Sequence, residues 1–238
     1  MAEPEEIIID AARHATVFVA RLWQRGERDR PDQTLLSYRH RLELLLTAVY
    51  GDDIRLRVAQ LPAPQTALAR LFKRTPSHLI EPYALPAHDG MQIFLPLRLA
   101  VSDSTALATF RVLALQQAGR ALRSPTPPWI DNLLVRDLFY LSEAAAVDHA
   151  LARDFPGIAP DLAALRRTTL SERPRPALLN APEQAMEDLY LRVLRAFPAA
   201  LPEPLVLAPT AVDSLAWALA IAPQMATIDI HYRGLRKG

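Results

Sequence analysis

Two long helical patterns, separated by a short proline-rich segment, dominate the middle of the sequence. In the first, which starts at residue 102, apolar side chains recur every three or four residues on one face. Its members are Leu107, Phe110, Ala114, Ala118 and Ala121. Residues 124–128 end that pattern, because proline has no backbone N–H to continue a helix. The same spacing returns over residues 130–153, and the pair predicts a mainly α fold.

Shorter helical patterns flank this pair on both sides. The spacing predicts helices over residues 5–25, 32–50, 65–73, 160–169, 183–197 and 211–220. The second of these ends at Gly51, because glycine readily adopts the left-handed conformation that terminates a helix. The charged, proline-rich segment 171–176 is predicted to be an exposed linker.

Strand patterns are few. Residues 54–58 alternate between apolar and polar side chains, which is typical of a half-buried strand. Residues 91–97 form a second candidate strand that can pair with the first. A turn is predicted just before it, because Gly90 accepts the positive φ of a tight turn. The tail 227–232 alternates weakly and is a third candidate. The fold class is therefore mainly α with a small β-sheet, an α+β protein.

These patterns also suggest how the chain is organised. Residues 1–100 hold the N-terminal helices and a short β-hairpin, and residues 101–238 are the helical part. We expect both parts to belong to one compact domain, since 238 residues suit one large domain.

Composition excludes several classes of function. The chain has no cysteine, which removes disulfides, cysteine-ligated metals and a cysteine nucleophile. Its 7 glycines are too scattered for either standard phosphate-binding loop. A net charge of +1, with dispersed basic residues, gives no general attraction to nucleic acid or anionic membranes. The sequence shows neither a signal-peptide pattern nor an apolar run of membrane-spanning length, so we expect a cytoplasmic protein without a cofactor.

The segment Leu115-Gln-Gln-Ala-Gly-Arg120 is unusual for the middle of a helix. Its Gln-Gln-x-x-Arg pattern stands where a zinc peptidase carries His-Glu-x-x-His, and Glu143 lies on the next helix, a place for a third ligand. Gln116 and Arg120 cannot replace imidazoles, because an amide oxygen is a poor zinc ligand and a guanidinium does not bind cations. If the scaffold is zincin-like, it is therefore a degenerate one, without catalytic or metal-binding residues. Gln116, Gln117, Arg120 and Glu143 are predicted to form a structural polar cluster, for instance through an Arg120–Glu143 ion pair.

The other polar and aromatic residues give no second site. The six histidines have no i, i+4 spacing and no His-x-His pair, so a metal site would have to be assembled from distant residues. They are His14, His40, His78, His88, His149 and His231. Paired arginines such as Arg166 and Arg167 are typical of solvated helix faces. The apolar residues at and near Trp129 and Trp217 are more typical of a core than of a contact surface.

Four segments of the chain are similar to one protein family. They are Thr109-Phe-Arg-Val-Leu-Ala-Leu-Gln-Gln-Ala-Gly-Arg-Ala, Leu134-Val-Arg-Asp-Leu-Phe-Tyr-Leu-Ser-Glu-Ala-Ala-Ala-Val-Asp148, Gly90-Met-Gln-Ile-Phe-Leu-Pro96 and Asp154-Phe-Pro-Gly-Ile-Ala-Pro-Asp-Leu. Together they resemble the N-terminal region of the CbbO/NorD family, over roughly residues 85–200. Family members more often carry a histidine in the Gln-Gln-Ala-Gly-Arg segment, and this sequence departs from them there.

The resemblance implies an adaptor and not an enzyme. Members of the family work with ring-forming, hexameric AAA+ ATPases of the MoxR type. The CbbO branch acts with CbbQ to remove inhibitory sugar phosphates from Rubisco, and the NorD branch serves the maturation of nitric oxide reductase. We expect a bacterial, chaperone-like adaptor in carbon fixation, with Rubisco as the client. The residues that bind the partner are not identified by the resemblance.

Family members also carry a C-terminal von Willebrand factor A domain with an Asp-x-Ser-x-Ser motif, which this chain lacks. We therefore expect a shortened chain that keeps the ring-docking part without the domain that grasps the client. Apart from the NorD-like role, two other functions stay open. One is a metal-dependent hydrolase in which His149 or His88 meets Glu143. The other is a helical spacer that only positions the missing domain.

Overall fold

A computed structural model gives the fold of the chain. It describes residues 34–51, 54–60, 84–126, 128–197, 201–227 and 229–235. The helices predicted over 5–25 and 65–73 lie outside the described residues.

Six α-helices make up most of the described residues, which confirms the mainly α class. They are α1 (Leu35–Tyr50), α2 (Asp103–Arg123), α3 (Leu133–Asp154), α4 (Ala159–Ser171), α5 (Ala181–Ala196) and α6 (Ala211–Met225). The two longest, α2 and α3, correspond to the two strongest helical patterns of the sequence. None of these described helices is both long and apolar enough to cross a lipid bilayer.

Polar side chains determine where three of the helices begin. At α3 the side chain of Asn132 accepts hydrogen bonds from two backbone N–H groups of the first turn. Asn180 and Glu183 form a reciprocal capping box at the start of α5, and Thr210 and Asp213 form another at the start of α6. Each cap satisfies N–H groups that have no partner inside the helix.

The β-structure of the described residues is one three-stranded sheet with the order β1-β3-β2. Strand β1 (Arg55–Val58) runs parallel to β3 (Gln92–Leu95), and β2 (Ala87–His88) pairs antiparallel with β3. The pairing predicted between the two strand patterns is confirmed. They are not the two arms of a hairpin, however, because a parallel pair needs a long crossover between its strands. The hairpin is instead the short β2–β3 unit.

Two glycines adopt the conformations predicted for them. Gly51 has a φ of 75° and ends α1. Gly90 has a φ of 90° in the β2–β3 turn, where Asp89 Oδ1 accepts hydrogen bonds from the two backbone N–H groups that follow Gly90. A Cβ on Gly90 would lie 2.3 Å from the backbone oxygen of Pro125. The turn therefore packs directly against the segment that follows α2.

Two hydrophobic clusters share helix α3. The first joins α1, the sheet, α2 and α4 to the C-terminal half of α3. Its fully buried members include Leu42, Leu46, Leu56, Phe110 and Leu162. The second joins the N-terminal half of α3 to α5 and α6, and it includes Leu138, Phe139, Met186, Leu189 and Ala218. Because α3 contributes to both clusters, the polar residues of α3 that lie between them are held in fixed positions.

Two predictions about the surface and the tail are wrong, and a third holds in part. Trp129 is 90% exposed and does not belong to a core. The segment 171–176 is exposed at most of its residues, as predicted, but the side chain of Arg173 is buried in an ion pair with Glu187. The tail 227–232 forms no strand among its described residues, which make only an isolated β-bridge. The weak alternation of the tail was too short a signal to specify a strand partner.

Candidate functional site

A cavity of about 410 Å³ lies where α2, α3, α4 and α5 meet strand β2. All four residues of the predicted polar cluster line this cavity. Gln116, Gln117 and Arg120 come from α2, and Glu143 comes from α3. The volume is within the range of small-molecule binding sites. The structure thus places the four residues around a common space. Among the described residues, however, no hydrogen bond or ion pair joins any two of them, because Gln116 and Glu143 bind other side chains.

Gln116 belongs to a buried ion-pair network. Its Nε2 donates to Asp148 Oδ1 at 2.6 Å. Asp148 Oδ2 accepts from Nε and Nη2 of Arg166 at 3.1 Å and 2.6 Å, and Arg166 Nη1 donates to the carbonyl oxygen of Val193. The guanidinium of Arg166 also lies 4.2 Å from the ring centroid of Phe197. This network ties α2, α3, α4 and α5 together with its charges paired.

Glu143 is the centre of a second network, and here the predicted ion pair is wrong. Arg123, and not Arg120, binds Glu143, with Nη2 donating to Oε1 at 2.8 Å and Nε donating to Oε2 at 3.2 Å. Ser214 Oγ donates to Glu143 Oε1 at 2.6 Å and accepts from Ser142 Oγ at 3.0 Å. Arg123 also donates to two backbone carbonyls of the segment before α6, which hold it beside Glu143.

The glycine in the middle of α2 has a packing reason. A Cβ on Gly119 would lie 2.9 Å from Val147 Cγ1 and 3.5 Å from the hydroxyl oxygen of Tyr50. That hydroxyl donates to the carbonyl oxygen of Leu115 at 3.1 Å. The close approach of α1 and α3 to α2 therefore requires glycine, although glycine costs a helix roughly 1 kcal/mol relative to alanine.

Gln117 and Arg120 lack partners of this kind. Gln117 is 3% exposed, and within the described residues its amide makes no hydrogen bond. Arg120 Nε is buried without a hydrogen-bond partner, and no described carboxylate forms an ion pair with its guanidinium. Buried polar groups in folded proteins are almost always hydrogen-bonded. These two side chains therefore leave open donor positions in the cavity wall.

The charges of the wall do not cancel. Glu143 and the carboxylate bound to Gln116 each have a guanidinium partner, as described above. The third carboxylate, Asp137, accepts from the Tyr232 hydroxyl at 2.8 Å and lies 3.8 Å from Arg136 Nε. Arg120 remains as a cation without a counter-ion among the residues that the structure describes. Arg123 and Arg136 do not line the cavity themselves. When they are counted with the carboxylates that they pair, the described groups leave an excess of one positive charge at Arg120.

The charge of Arg120 acts on two neighbouring groups. Burial lowers the pKa of His88, the Arg120 guanidinium lowers it further, and Asp89 opposes the change. His88 is therefore neutral at pH 7, and its buried Nδ1 has no hydrogen-bond partner. Burial raises the pKa of Tyr190, and Arg120 is among the guanidinium groups that oppose this. Arg120 thus lies close to both the β2 side and the α5 side of the cavity.

The described residues contain no group of three or more His, Asp or Glu side chains that could hold a metal ion. His149, one of the predicted partners of Glu143, packs edge-on against Phe197 with their ring centroids 5.7 Å apart, and it does not line the cavity. His88 does line the cavity, together with Glu143. The carboxylate of Glu143, however, already accepts hydrogen bonds on both of its oxygens.

Sequence reasoning missed Asp148 and Arg166 as members of this site. The solvated face predicted for Arg166 is wrong, since Arg166 is 6% exposed. A signal was present in the sequence. Asp148 continues the apolar stripe through Leu141 and Ala145, and Arg166 lies four residues after the buried Leu162. Two opposite charges at apolar positions of neighbouring helices indicate a buried ion pair.

Comparison with known proteins gives no match: no family model, no curated protein and no solved structure is similar to this chain. The resemblance to the CbbO/NorD family therefore stays a prediction from the residues quoted above.

Proposed function

We propose that this chain is a non-catalytic docking domain that binds a ring-forming AAA+ ATPase of the MoxR type and helps that ATPase to activate Rubisco. Two independent lines support the proposal. One is the resemblance of residues 85–200 to the CbbO/NorD family. The other is an exposed apolar surface on α6, which a partner protein would cover.

The outward side of α6 carries apolar side chains on each successive turn. Val212 is 76% exposed and Leu219 is 56% exposed. We define the α6 face as Val212, Ala216, Leu219, Ala220 and Pro223, all of which are exposed. The outward side of a helix in water normally carries polar residues, and an apolar exposed patch marks an interaction surface. The α6 face is the observation that carries the proposal.

The α6 face is held in a fixed position by contacts on the opposite side of the helix. Ser214 binds Glu143 on α3, and Ala218 is buried in the second hydrophobic cluster. The indole N–H of Trp217 donates to the carbonyl oxygen of Pro204 at 2.9 Å, which attaches the preceding segment to the helix. A surface on an ordered helix loses little conformational entropy when a partner binds. This suits a docking role.

The proposal is tested by size-exclusion chromatography of the full chain with a hexameric CbbQ-like ATPase and ATP. We expect the two to co-elute. The double variant Val212→Asp/Leu219→Asp should elute separately, because the interface would have to desolvate two unpaired charges. Leu36→Asp is the matched control: Leu36 is 60% exposed on α1, and this variant should still co-elute.

Separate elution of the native chain from an intact, active hexamer would overturn the proposal, and so would co-elution of the double variant. A NorD-like role predicts binding only to the MoxR-type ATPase that serves nitric oxide reductase, and the same assay with that ATPase distinguishes the two branches. A helical spacer predicts binding to neither ATPase. The metal-dependent hydrolase has the least support, because Arg123 and Ser214 occupy the carboxylate of Glu143.

A further inference from the structure

We propose that the cavity between α2 and α5 binds a small organic monocarboxylate, with its carboxylate at Arg120 and Gln117 and its apolar body against α4 and α5. The proposal is independent of the docking function, because no residue of the α6 face lines the cavity. It concerns a ligand site, and it assigns no reaction to the chain.

The donors for an anion are already in place. Arg120 and Gln117 lie three residues apart on α2, so their side chains project from the same side of the helix. The buried Nε of Arg120 has no hydrogen-bond partner, and the amide of Gln117 has none among the described residues. A carboxylate accepts two parallel N–H bonds from one guanidinium, which is the strongest neutralising contact available to it. An acceptor at this position would satisfy both side chains at once.

The balance of charge selects a monoanion. The carboxylates of the wall are each paired with a guanidinium, and Arg120 is the cation of the wall that forms no ion pair with a described carboxylate. One carboxylate group neutralises it. A phosphate dianion would leave a surplus negative charge in a partly buried site, and a cationic ligand would be repelled. His88 is next to Arg120 and is neutral, so it adds a polar nitrogen to the site without changing this balance.

The rest of the wall is suited to a hydrocarbon body. Leu113 from α2, Leu165 from α4 and Val193 and Leu194 from α5 line the cavity. A cavity of about 410 Å³ with apolar walls and a few converging polar groups is typical of a small-molecule site. The ligand is therefore an amphipathic acid: one carboxylate on an aliphatic or aromatic group.

The test is isothermal titration calorimetry of the full chain with acetate, butanoate and hexanoate. We expect saturable binding that tightens about fourfold for each added methylene until the apolar part of the cavity is filled. Hexan-1-ol has the same body without the charge and should bind at least tenfold more weakly than hexanoate. Inorganic phosphate should also bind more weakly than hexanoate. Failure of every carboxylate to bind saturably, or tighter binding of phosphate, would overturn the assignment.

Substitutions of single residues test where the carboxylate of the ligand binds. Arg120→Gln should weaken hexanoate binding at least tenfold, because a charge-assisted pair is lost. Arg167→Gln removes the same charge from an exposed position of α4 and should bind like the native chain. We expect Arg120→Gln to fold, since Arg120 forms no ion pair with a described residue, and a thermal melt checks this. If it does not fold, Gln117→Leu replaces it and should weaken binding severalfold. Hexanoate binding that neither variant weakens would overturn the proposal.

Discussion

Arg166 places both Nε and Nη2 on one oxygen of Asp148, at 3.1 Å and 2.6 Å, and leaves the other oxygen to Gln116. The three side chains come from three different helices, and all are buried. A guanidinium and a carboxylate in such a position tolerate the loss of water only because each satisfies the other. The pair therefore determines how α4 packs against α3.

Removal of one member of this pair should destabilise the fold strongly. Asp148→Ala leaves the Arg166 charge buried and unpaired, and we expect the free energy of unfolding to fall by about 3–5 kcal/mol. Urea denaturation followed by circular dichroism measures this. Asp154→Ala, near the solvent-exposed end of the same helix, is the control and should remain close to the native chain. The role of the pair would be refuted if the two variants unfolded at the same urea concentration.

Gly119→Ala should also destabilise the chain, although alanine is the better helix former. The added Cβ would meet Val147 Cγ1 at 2.9 Å, and valine cannot easily turn away because its χ1 is restricted. Overpacking of this kind costs about 1–3 kcal/mol, which outweighs the helix-propensity gain of roughly 1 kcal/mol. Urea denaturation should therefore show a net loss.

Two further variants identify the cause of that loss. Gly119→Ala combined with Val147→Ala should be less destabilised than the sum of the single changes, because the clash is then absent. Gly157→Ala is the matched control, since a Cβ there meets nothing within 4 Å. A Gly119→Ala chain more stable than the native one would show that the helices can separate without cost.

The helices and their ends could be predicted from the sequence because they depend on local information. The stripe through Phe110 and Ala118, and the glycine after Tyr50, are local in this sense. Gln116, Gln117 and Arg120 could be singled out for the same reason, because two amides and a guanidinium interrupt an apolar helix face. Glu143 is singled out by analogy with the third ligand of a zinc peptidase.

The partners of those residues could not be predicted, because they depend on distant segments. Arg120 and Arg123 lie one turn apart on α2, and both positions are compatible with Glu143 on the next helix. Backbone carbonyls more than 80 residues later hold Arg123, and this selects it over Arg120. The parallel pairing of β1 with β3 likewise depends on a crossover that alternation within a strand does not encode.

Ser214→Ala should weaken the attachment of α6 to α3. Its hydroxyl is fully buried, donates to Glu143 at 2.6 Å and accepts from Ser142. The variant leaves Ser142 without its partner and Glu143 with one donor fewer, so we expect a loss of about 1–3 kcal/mol in the free energy of unfolding. Ser37→Ala, at an exposed position of α1, should be nearly neutral in the same urea titration. Equal stability of the two variants would contradict this role for the buried hydroxyl.

Stability should fall in mildly acidic solution because of His149. Burial lowers the pKa of its imidazole below 6.5, the Arg166 guanidinium lowers it further, and Asp148 opposes the change. The unfolded chain therefore takes up a proton near pH 6.5 that the folded chain resists. As the pH falls from that value toward the folded pKa, the free energy of unfolding decreases, and above it this contribution vanishes.

Urea denaturation at about pH 5.5 and about pH 7.5 measures the effect in the range where histidine titrates. The native chain should be less stable at the lower pH. His149→Gln should lose less stability between the two values, and the remainder includes His88, whose pKa is also lowered. His40→Gln, at an exposed position of α1, should retain the native difference. If His149→Gln retained that difference in full, the imidazole beside Phe197 would not be the group that titrates.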